Sequence, residues 1–404
     1  MKTAVAEGSR PADAIHDLLE KSRALLPLLI EHRRALHRIP ELGLDLPETA
    51  TFIAAELRHL GLEPKRSGSG LWADVGDEGP LIGLRADTDA LPVVEATGAP
   101  YASIFPGRMH AGGHDAHAAS LLIAARILVA EKRLPFRVRL IFQPGEEGCF
   151  GARELIAAGV LEGVKAVAAG HVGDLSDEMK PGQAAFLPGP MMAASDRFRG
   201  AFIGTGGHGA APHHSPDPIS AFAEYMQALQ VLRAREIDQT KPAVISICTV
   251  NAGANFNVIP ERLDFLGTAR SLEPDLRSFL ERRIGECGTA IAGLRGLAFD
   301  YEWLGGYPPL KNDPAASNSA EAIARSLLGD KRVLRLGGPI MGGEDFAYYL
   351  AELPGLFWFF NTQNPSRGIS HPNHNPRFDI DEALLADFVA VNLGIVAALA
   401  TLHA

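Results

Sequence analysis

Length, composition and charge exclude several classes of protein. The chain has 404 residues, of which 47% are hydrophobic and 21% are charged, so it is long enough for about two to three globular domains. The formal net charge of −10 offers no basic surface to nucleic acid or to an anionic membrane, so we expect neither as a partner.

The first part of the chain alternates between helical and extended patterns. Helices are predicted over Asp13–His37 and Glu48–Leu60, and a strongly apolar helix over His117–Lys132. Short apolar runs predict four strands, at Leu71–Val75, Leu81–Leu84, Phe136–Phe142 and Val164–Ala169. Strands that alternate with helices predict an α/β domain with a mixed sheet flanked by helices.

A break at Pro188–Pro190 precedes a second pattern over 193–304. Its order is strand, helix, two strands, helix, strand, which is the order of the ferredoxin-like motif. The predicted elements are Arg197–Gly204, Pro218–Arg233, Val244–Val250, Leu263–Ser271, a helix from Pro274 to Gly285 or Leu294, and Leu297–Trp303. We therefore predict an inserted α+β domain at 193–304.

The α/β pattern resumes after the insert. The sequence predicts a helix at Asn318–Leu328, a strand at Leu356–Asn361 and a closing helix at Asp381–Leu402. The first domain is therefore predicted to be discontinuous, over 1–192 and 305–404.

Titratable residues collect directly after three of the predicted strands. They occupy the segments 85–92 (RADTDALP), 143–148 (QPGEEG) and 170–172 (GHV). Ligands bind at the carboxyl ends of strands in open α/β sheets, so we expect a functional site at this edge.

A second cluster, MHAGGHDAH at 109–117, precedes the apolar helix. His110, His114, Asp115 and His117 place four possible metal ligands within eight residues. Such residues could instead cap the helix and complement its dipole, an alternative that stays open for His110 and His117. His114 is the favoured ligand because the two glycines before it leave room around its ring.

The adjacent carboxylates Glu146 and Glu147 indicate a metal and a general base. Neighbouring carboxylates repel each other unless a cation compensates them. A metal would bind one of them and leave the other to move protons, whereas the alternative is a solvated acidic loop.

A proline-containing loop at 371–379 (HPNHNPRFD) carries His371 and His374, either of which could reach a metal. The alternative is an ordinary surface loop. Imidazole nitrogens and carboxylate oxygens together suit Zn²⁺, Mn²⁺ or Co²⁺.

The segment 204–209 (GTGGHG) has the spacing of a dinucleotide-binding loop, but Pro212 and two histidines follow it instead of a helix start. The glycines are better explained as a tight turn that exposes His208.

Cysteine content and hydropathy indicate the cytoplasm. Three widely spaced cysteines suit a reducing compartment without a disulfide framework. We find no pattern of a secretory signal, and no uncharged apolar stretch reaches the roughly 18 residues of a membrane span.

In order along nearly the whole chain, these motifs resemble one group of metal-dependent amidohydrolases. The group includes hippurate hydrolases, N-acyl-amino-acid amidohydrolases and auxin-conjugate hydrolases, within the aminoacylase and carboxypeptidase metallopeptidase family. Further matching segments are 257–260 (NVIP), 267–270 (GTAR), 341–346 (MGGEDF) and 374–379 (HNPRFD). The resemblance implies hydrolysis of N-acyl amino acids or related amides by metal-activated water.

The resemblance also implies a dinuclear metal domain and a ferredoxin-like lid that pairs two subunits into a homodimer. The implied metal ligands are His114, Glu147, His171 and His374. His374 is preferred to His371 because it stands in the family's His-x-Pro-x-Phe place. Glu146 matches the general base, and Asp87 matches an acid beside the metal site.

Three lid residues match positions that the family uses at its active site. His208 matches a histidine that reaches the partner subunit's site and stabilises the oxyanion. Asn257 and Arg270 match positions near the substrate.

One departure concerns the metal count. The family pattern reads Met-His-Ala-Cys-Gly-His, with the cysteine as a ligand, but Gly112 stands at that position here. The second ion could be absent, weak, or held through Cys149 or His371, so one or two ions stay possible.

The same departure leaves two other functions open. One is hydrolytic deamination, or another C–N hydrolysis, of an aromatic amine at the same metal site. The other is a non-catalytic metal- or ligand-binding relative.

Overall fold

The computed structural model describes residues 11–131 and 133–404. The chain divides into two compact units. The larger unit comprises the described residues up to Met191, together with Lys311–Gly338 and Tyr348–Ala404, and the smaller unit comprises Met192–Leu310 and Pro339–Ala347.

The strands and helices are numbered in chain order. The strands are β1 (Lys65–Ser67), β2 (Gly70–Val75), β3 (Leu81–Asp87), β4 (Arg137–Gln143), β5 (Val164–Val172), β6 (Ala184–Phe186), β7 (Gly189–Met192), β8 (Ala194–Ile203), β9 (Gly207–His208), β10 (Ala243–Ala252), β11 (Val258–Ile259), β12 (Arg262–Ser271), β13 (Ala298–Tyr307), β14 (Leu310–Asn312), β15 (Val333–Arg335) and β16 (Gly355–Phe360). The helices are α1 (Pro11–Ala24), α2 (Leu26–His37), α3 (Pro47–His59), α4 (His114–Ala130), α5 (Gly151–Ala157), α6 (Pro218–Arg235), α7 (Pro274–Arg295), α8 (Pro314–Leu328), α9 (Ala347–Glu352) and α10 (Leu385–Leu402).

In the larger unit, eight strands of the described chain form one mixed sheet in the order β1-β2-β4-β3-β5-β16-β6-β15. The central strands β4, β3, β5 and β16 run parallel to one another. Every residue of β3 and of β16 is buried, as expected for parallel strands covered on both faces. The carboxyl ends of these four strands therefore meet at a single edge of the sheet.

Two apolar helices hold the centre of the larger unit. Helices α4 and α10 pack against β3 and against each other, and α1 and α2 cover them. Because they are enclosed on most sides, their sequences are apolar without a continuous polar face. The segment Glu382–Leu402 is long and apolar enough to cross a membrane, but 83% of its most apolar window is buried inside the protein, as in a core helix.

The smaller unit has an antiparallel sheet covered by two helices. Four strands of the described chain pair in the order β10-β12-β8-β13, with all three pairings antiparallel. Helices α6 and α7 pack on the sheet around a core that includes Phe202, Tyr225 and Phe265. The order along the chain, β8-α6-β10-β12-α7-β13, is that of the ferredoxin-like motif. The predicted fold class is confirmed in both units.

Several predicted boundaries were wrong for identifiable reasons. The single helix expected over Asp13–His37 is two helices that meet at Leu25, because Pro27 fits the first turn of α2 but cannot continue α1. The apolar helix expected over His117–Lys132 starts three residues earlier, at His114, and Lys132 lies outside the described residues. Strands of two to four residues, such as β6 and β15, were not predicted, since so few residues show no periodicity.

Candidate metal centre

Three parallel strands bring the predicted site residues of the larger unit to one edge. Strand β3 ends at Asp87, which pairs in register with Gln143 at the end of β4, and His171 lies near the end of β5. Glu146 and Glu147 follow β4 within four residues. The strands after which the polar residues were predicted to collect are therefore neighbours in one sheet, and their carboxyl ends lie at the same edge.

His114 stands at the start of α4, facing this edge. Gly113, at φ 90°, makes the left-handed turn into the helix, and a Cβ there would lie 2.8 Å from a methyl group of Val172. The Nδ1–H group of His114 donates to the backbone carbonyl of Asp89 at 2.9 Å, which leaves Nε2 as the nitrogen that binds either a proton or a metal. His114 is 1% exposed, and its Nε2 has no hydrogen-bond partner among the described residues.

Carboxylates surround that unpartnered nitrogen. One ligand atom from each of His114, Glu146 and Glu147 lies within 4.8 Å of the others, and Asp87 Oδ2 is 3.7 Å from His114 Nε2. Asp87 is already engaged: Arg85 Nη1 donates to its Oδ2 at 2.7 Å, and His117 bonds its Oδ1 at 2.6 Å. It lies beside the candidate ligands, where the resemblance puts it.

Asp89 shapes the turn that carries both glutamates. Its two carboxylate oxygens accept hydrogen bonds from the backbone N–H groups of Glu146 and Glu147, each at 3.0 Å. This role of Asp89 was not predicted, although the residue belongs to the RADTDALP segment. The acidic side chain at a strand end could be noticed in the sequence, but no local pattern links Asp89 to Glu146 and Glu147, which lie more than fifty residues further along the chain.

His374 reaches the site from a loop of the last part of the chain. Its backbone is left-handed, with φ 69°, which is unusual for a residue with a Cβ. Its N–H group donates to the carbonyl of Ala111 at 2.8 Å, and its Nε2 lies 3.2 Å from Glu147 Oε1. Next to it, the Asn373 amide donates to the carbonyls of Gly112 and Val172, a contact that the sequence analysis missed.

His117 and His171 occupy different roles. The Val172 N–H group donates to His117 Nε2 at 2.8 Å, so Nδ1 carries the proton and donates to Asp87. Both ring nitrogens of His117 are engaged, which leaves it as a support and not as a ligand. His171 donates from Nδ1 to the Val172 carbonyl at 2.9 Å, and its ring centroid is 5.7 Å from that of His114, so its Nε2 is suited to a metal.

Electrostatics favours a cation at this edge. Burial alone would lower the pKa of His114, but the charges of Asp87, Asp89 and Glu147 outweigh it and raise the pKa to about 10. For Glu147, burial is outweighed by the hydrogen bond from His374 and the charge of His114, which lower the pKa of its carboxyl. Burial and the neighbouring His117 hold the pKa of His171 well below its ordinary value, in the neutral form that binds metal.

The remaining candidates of the larger unit do not join the cluster. His110 is buried, burial lowers its pKa to about 4, and neither of its ring nitrogens has a partner in the described part of the chain. The Cys149 sulfur lies 3.3 Å from where a Cβ on Gly43 would be, and Cys149 is not in the ligand groups found among the described residues. Those groups contain neither His371 nor the implied ligands His171 and His374, so they do not decide between these histidines.

A divalent cation fits the residues present. The buried, unpartnered Nε2 of His114 has carboxylate oxygens on more than one side, and no cation of the described chain bonds it. The donor set of imidazole nitrogen and carboxylate oxygen is one that Zn²⁺, Mn²⁺ and Co²⁺ share.

The smaller unit carries the predicted lid residues. His208 is exposed on β9, and Gly209 N–H donates to the Asn257 carbonyl at 2.8 Å, so Asn257 lies beside the short antiparallel pair that β9 forms with β11. Arg270 is half-buried on β12, where its guanidinium donates to the carbonyl of Ala269 at 3.1 Å and to the hydroxyl of Thr268. The structure thus brings two of the three together.

Comparison with known proteins identifies the family. Residues 83–397, which are most of the chain, match the sequence profile described as Peptidase family M20/M25/M40. The chain belongs to peptidase family M20/M25/M40.

Relatives and solved structures of the family agree over nearly the full length. An N-acetyl-L-cysteine deacetylase of Bacillus subtilis is 38% identical over 362 residues, covering 88% of this chain and 84% of the relative. The IAA-amino acid hydrolase ILR1-like 4 of Arabidopsis thaliana is 36% identical, covering 91% and 84%. The Bacillus subtilis YXEP protein, a dinuclear metal binding peptidase, has a TM-score of 0.80 at 32% identity, covering 94% and 99%.

The resemblance drawn from the motifs is therefore confirmed. This member of the M20/M25/M40 family is a metal-dependent amidohydrolase, and divalent metal is a property of the family to which it belongs. Among the described residues, the cluster around His114 offers ligand atoms that suit such a metal.

Asp89 offers a test of how the glutamate turn is held. In Asp89→Asn, an NH₂ group replaces one of the two oxygens that accept from Glu146 and Glu147. One hydrogen bond is then lost, and the NH₂ group faces a backbone N–H group, which is also a donor. We expect Mn²⁺ affinity, measured by titration calorimetry, to fall by about tenfold to a hundredfold. Asp77→Asn, in an exposed turn, is the control. Equal affinity in the two variants would contradict this role.

Proposed function

We propose that this chain hydrolyses the amide bond of N-acyl amino acids, with Glu146 as the general base beside a divalent cation held by His114, Glu147, His171 and His374. The observation that carries this proposal is the buried Nε2 of His114, which has no partner in the described chain and has ligand atoms of Glu146 and Glu147 within 4.8 Å. The substrate class is supported by relatives named for N-acetyl-L-cysteine and for IAA-amino acid conjugates.

The chemistry divides between the metal and the chain. A divalent cation bound here would acidify a water molecule and polarise the scissile carbonyl. Glu146 takes a proton from the attacking water and passes it to the leaving nitrogen, which departs as an amine. Glu146 is 7% exposed, so bulk water has little access to compete for that proton.

Substitution of Glu146 separates proton transfer from metal binding. In Glu146→Gln the side chain keeps its size but cannot accept the proton, so we expect kcat to fall at least about a hundredfold on N-acetyl amino acids, with the metal content unchanged. Glu154→Gln, exposed on α5, is the matched control and should keep its activity.

The products of that assay also test the reaction class. Release of acetate from N-acetyl amino acids supports amide hydrolysis, whereas release of ammonia from aromatic amines in a parallel assay, with the N-acetyl amino acids left intact, would identify hydrolytic deamination in its place. Near-normal turnover of Glu146→Gln would remove Glu146 from the role of base.

The metal count depends on Gly112. A Cβ at this position would lie 3.1 Å from His114 Nε2 and 3.4 Å from Glu147 Oε1, between the candidate ligands. Gly112 is not among the residues with positive φ, so its backbone accepts other residues. Since glycine brings no donor to this place, we propose that Mn²⁺, Zn²⁺ or Co²⁺ binds as a single tightly held ion per subunit.

Elemental analysis of three proteins tests the count. We expect about one ion per subunit in the native chain and in Gly112→Ala, which adds only a methyl group, and about two in Gly112→Cys, which adds a thiolate. Two ions in the native chain would show that another residue supplies the missing ligand.

We further propose that 193–304 forms a lid and dimerisation domain of a cytoplasmic homodimer, in which His208 completes the partner's site. Phe256, in the turn before β11, is 99% exposed, and Val258 on β11 is 52% exposed. An apolar tip of this kind is suited to contact with a second copy. There, His208 would donate to the oxyanion, an interaction worth about 3 to 4 kcal/mol.

Mixed dimers test the exchange of His208. Glu146→Gln and His208→Ala are each expected to be nearly inactive, but their heterodimer would contain one intact site. Equal mixing after subunit exchange should therefore restore about a quarter of the native activity, because half of the dimers are mixed and each has one working site. No recovery, with exchange verified by mass spectrometry, would place His208 in its own subunit's site or outside catalysis.

A further inference from the structure

The larger unit contains a buried arginine that the proposed mechanism does not use. Arg33, on α2, is 0% exposed. Its guanidinium donates to Asp115 Oδ2 at 2.8 Å, to Asp379 Oδ1 at 3.0 Å and to Glu382 Oε1 at 3.2 Å. A single side chain therefore bonds three carboxylates from two distant parts of the chain.

Each of those parts carries a candidate metal ligand. Asp115 directly follows His114 in the first turn of α4, and Asp379 follows His374 by five residues at the end of the same loop. His114 and His374 both lie near Glu147 although 260 residues separate them in sequence. Arg33 is bonded to both of the segments that must be aligned.

Other contacts brace the same cluster. The Tyr101 hydroxyl donates to Asp379 Oδ2 at 2.8 Å, and the Arg33 guanidinium carbon lies 4.9 Å from the centre of the Tyr101 ring. His37 bonds Asp115 Oδ2 at 2.7 Å through Nδ1 and Glu95 at 3.3 Å through Nε2. Tyr101 and His37 therefore bond two of the segments that Arg33 also contacts.

Charge balance makes the arginine hard to replace. Asp115 is wholly buried, and Asp379 and Glu382 are 24% and 11% exposed. Without the guanidinium these carboxylates would face one another with less compensation, and their repulsion would push the α4 start and the 374–382 segment apart. The planar fork of arginine can bond several carboxylates at once, which a lysine ammonium cannot do in the same geometry.

We propose that Arg33 is a positioning residue for the metal centre: it bonds the two segments that present His114 and His374 and so sets their separation. This inference rests on the metal site proposed above. It predicts that loss of Arg33 lowers metal affinity in protein that is still folded.

A second buried arginine of the larger unit provides the matched control. Arg139, on β4, is 5% exposed, and it donates to Asp74 and to the carbonyls of Val160 and Glu162. None of these partners is next to a candidate ligand in sequence. Arg139→Met should therefore cost stability without a selective effect on the metal.

The experiment measures Mn²⁺ affinity by titration calorimetry and by electron paramagnetic resonance of the bound ion, on full-length protein whose folding is verified by circular dichroism. We expect Arg33→Met to bind Mn²⁺ about tenfold to a hundredfold more weakly and to show an altered Mn²⁺ spectrum. Arg139→Met should stay within about threefold of the native affinity. Arg33→Lys should lie between the native chain and Arg33→Met, because one ammonium restores charge but not the fork.

Milder variants cover the case in which Arg33→Met does not fold. Asp379→Asn and Tyr101→Phe each remove one charge or one bond from the cluster, and both should weaken Mn²⁺ binding without abolishing it. Native affinity and spectrum in folded Arg33→Met, or in both milder variants, would overturn the positioning role while leaving the metal site intact. Failure of the native chain to bind Mn²⁺, Zn²⁺ or Co²⁺ would overturn the proposed metal site and this inference together.

Discussion

A concentration of buried negative charge around one imidazole is the constraint on which the site depends. The carboxylates of Asp87, Asp89 and Glu147 all act on His114, and together they outweigh the effect of burial on its pKa. Buried carboxylates that crowd together are costly unless cations or hydrogen bonds compensate them. The chain supplies part of that compensation through Arg85 and through backbone N–H groups, and a divalent cation is suited to supply the rest.

The fold meets this constraint by placing rigid elements on every side. Parallel strands β3, β4 and β5 end at the same edge, the start of α4 enters from a left-handed glycine, and a loop with an unusual backbone brings in His374. Many of the supporting contacts use backbone groups, whose positions are fixed once the sheet and helix form. The buried carboxylates are therefore held close together by the backbone, and rotation of their side chains alone cannot relieve their repulsion.

Particular residues show what a local sequence pattern indicates and what it does not. The sequence predicted the two glutamates after β4 as site residues because adjacent carboxylates at a strand end need an explanation, and it predicted His114 because glycines precede it. Asp89 and Arg33 were missed because their roles depend on partners far along the chain, with no local pattern. The sequence did not indicate whether His117 is a metal ligand or a supporting residue. Its ring nitrogens bond Asp87 and Val172, which favours the supporting role.

The sequence by itself determined the α/β class, the ferredoxin-like insert and the chemical character of the site, because hydrophobic periodicity and donor type are local properties of the chain. Tertiary structure alone decided that both ring nitrogens of His117 are bonded while Nε2 of His114 has no hydrogen-bond partner among the described residues. It also decided that α1 and α2 separate at Leu25, and that Arg33 joins the segments of His114 and His374. Those outcomes depend on hydrogen-bond partners and charges that are far apart in sequence and come together only in the folded chain. A local sequence pattern does not indicate which distant residues will be neighbours.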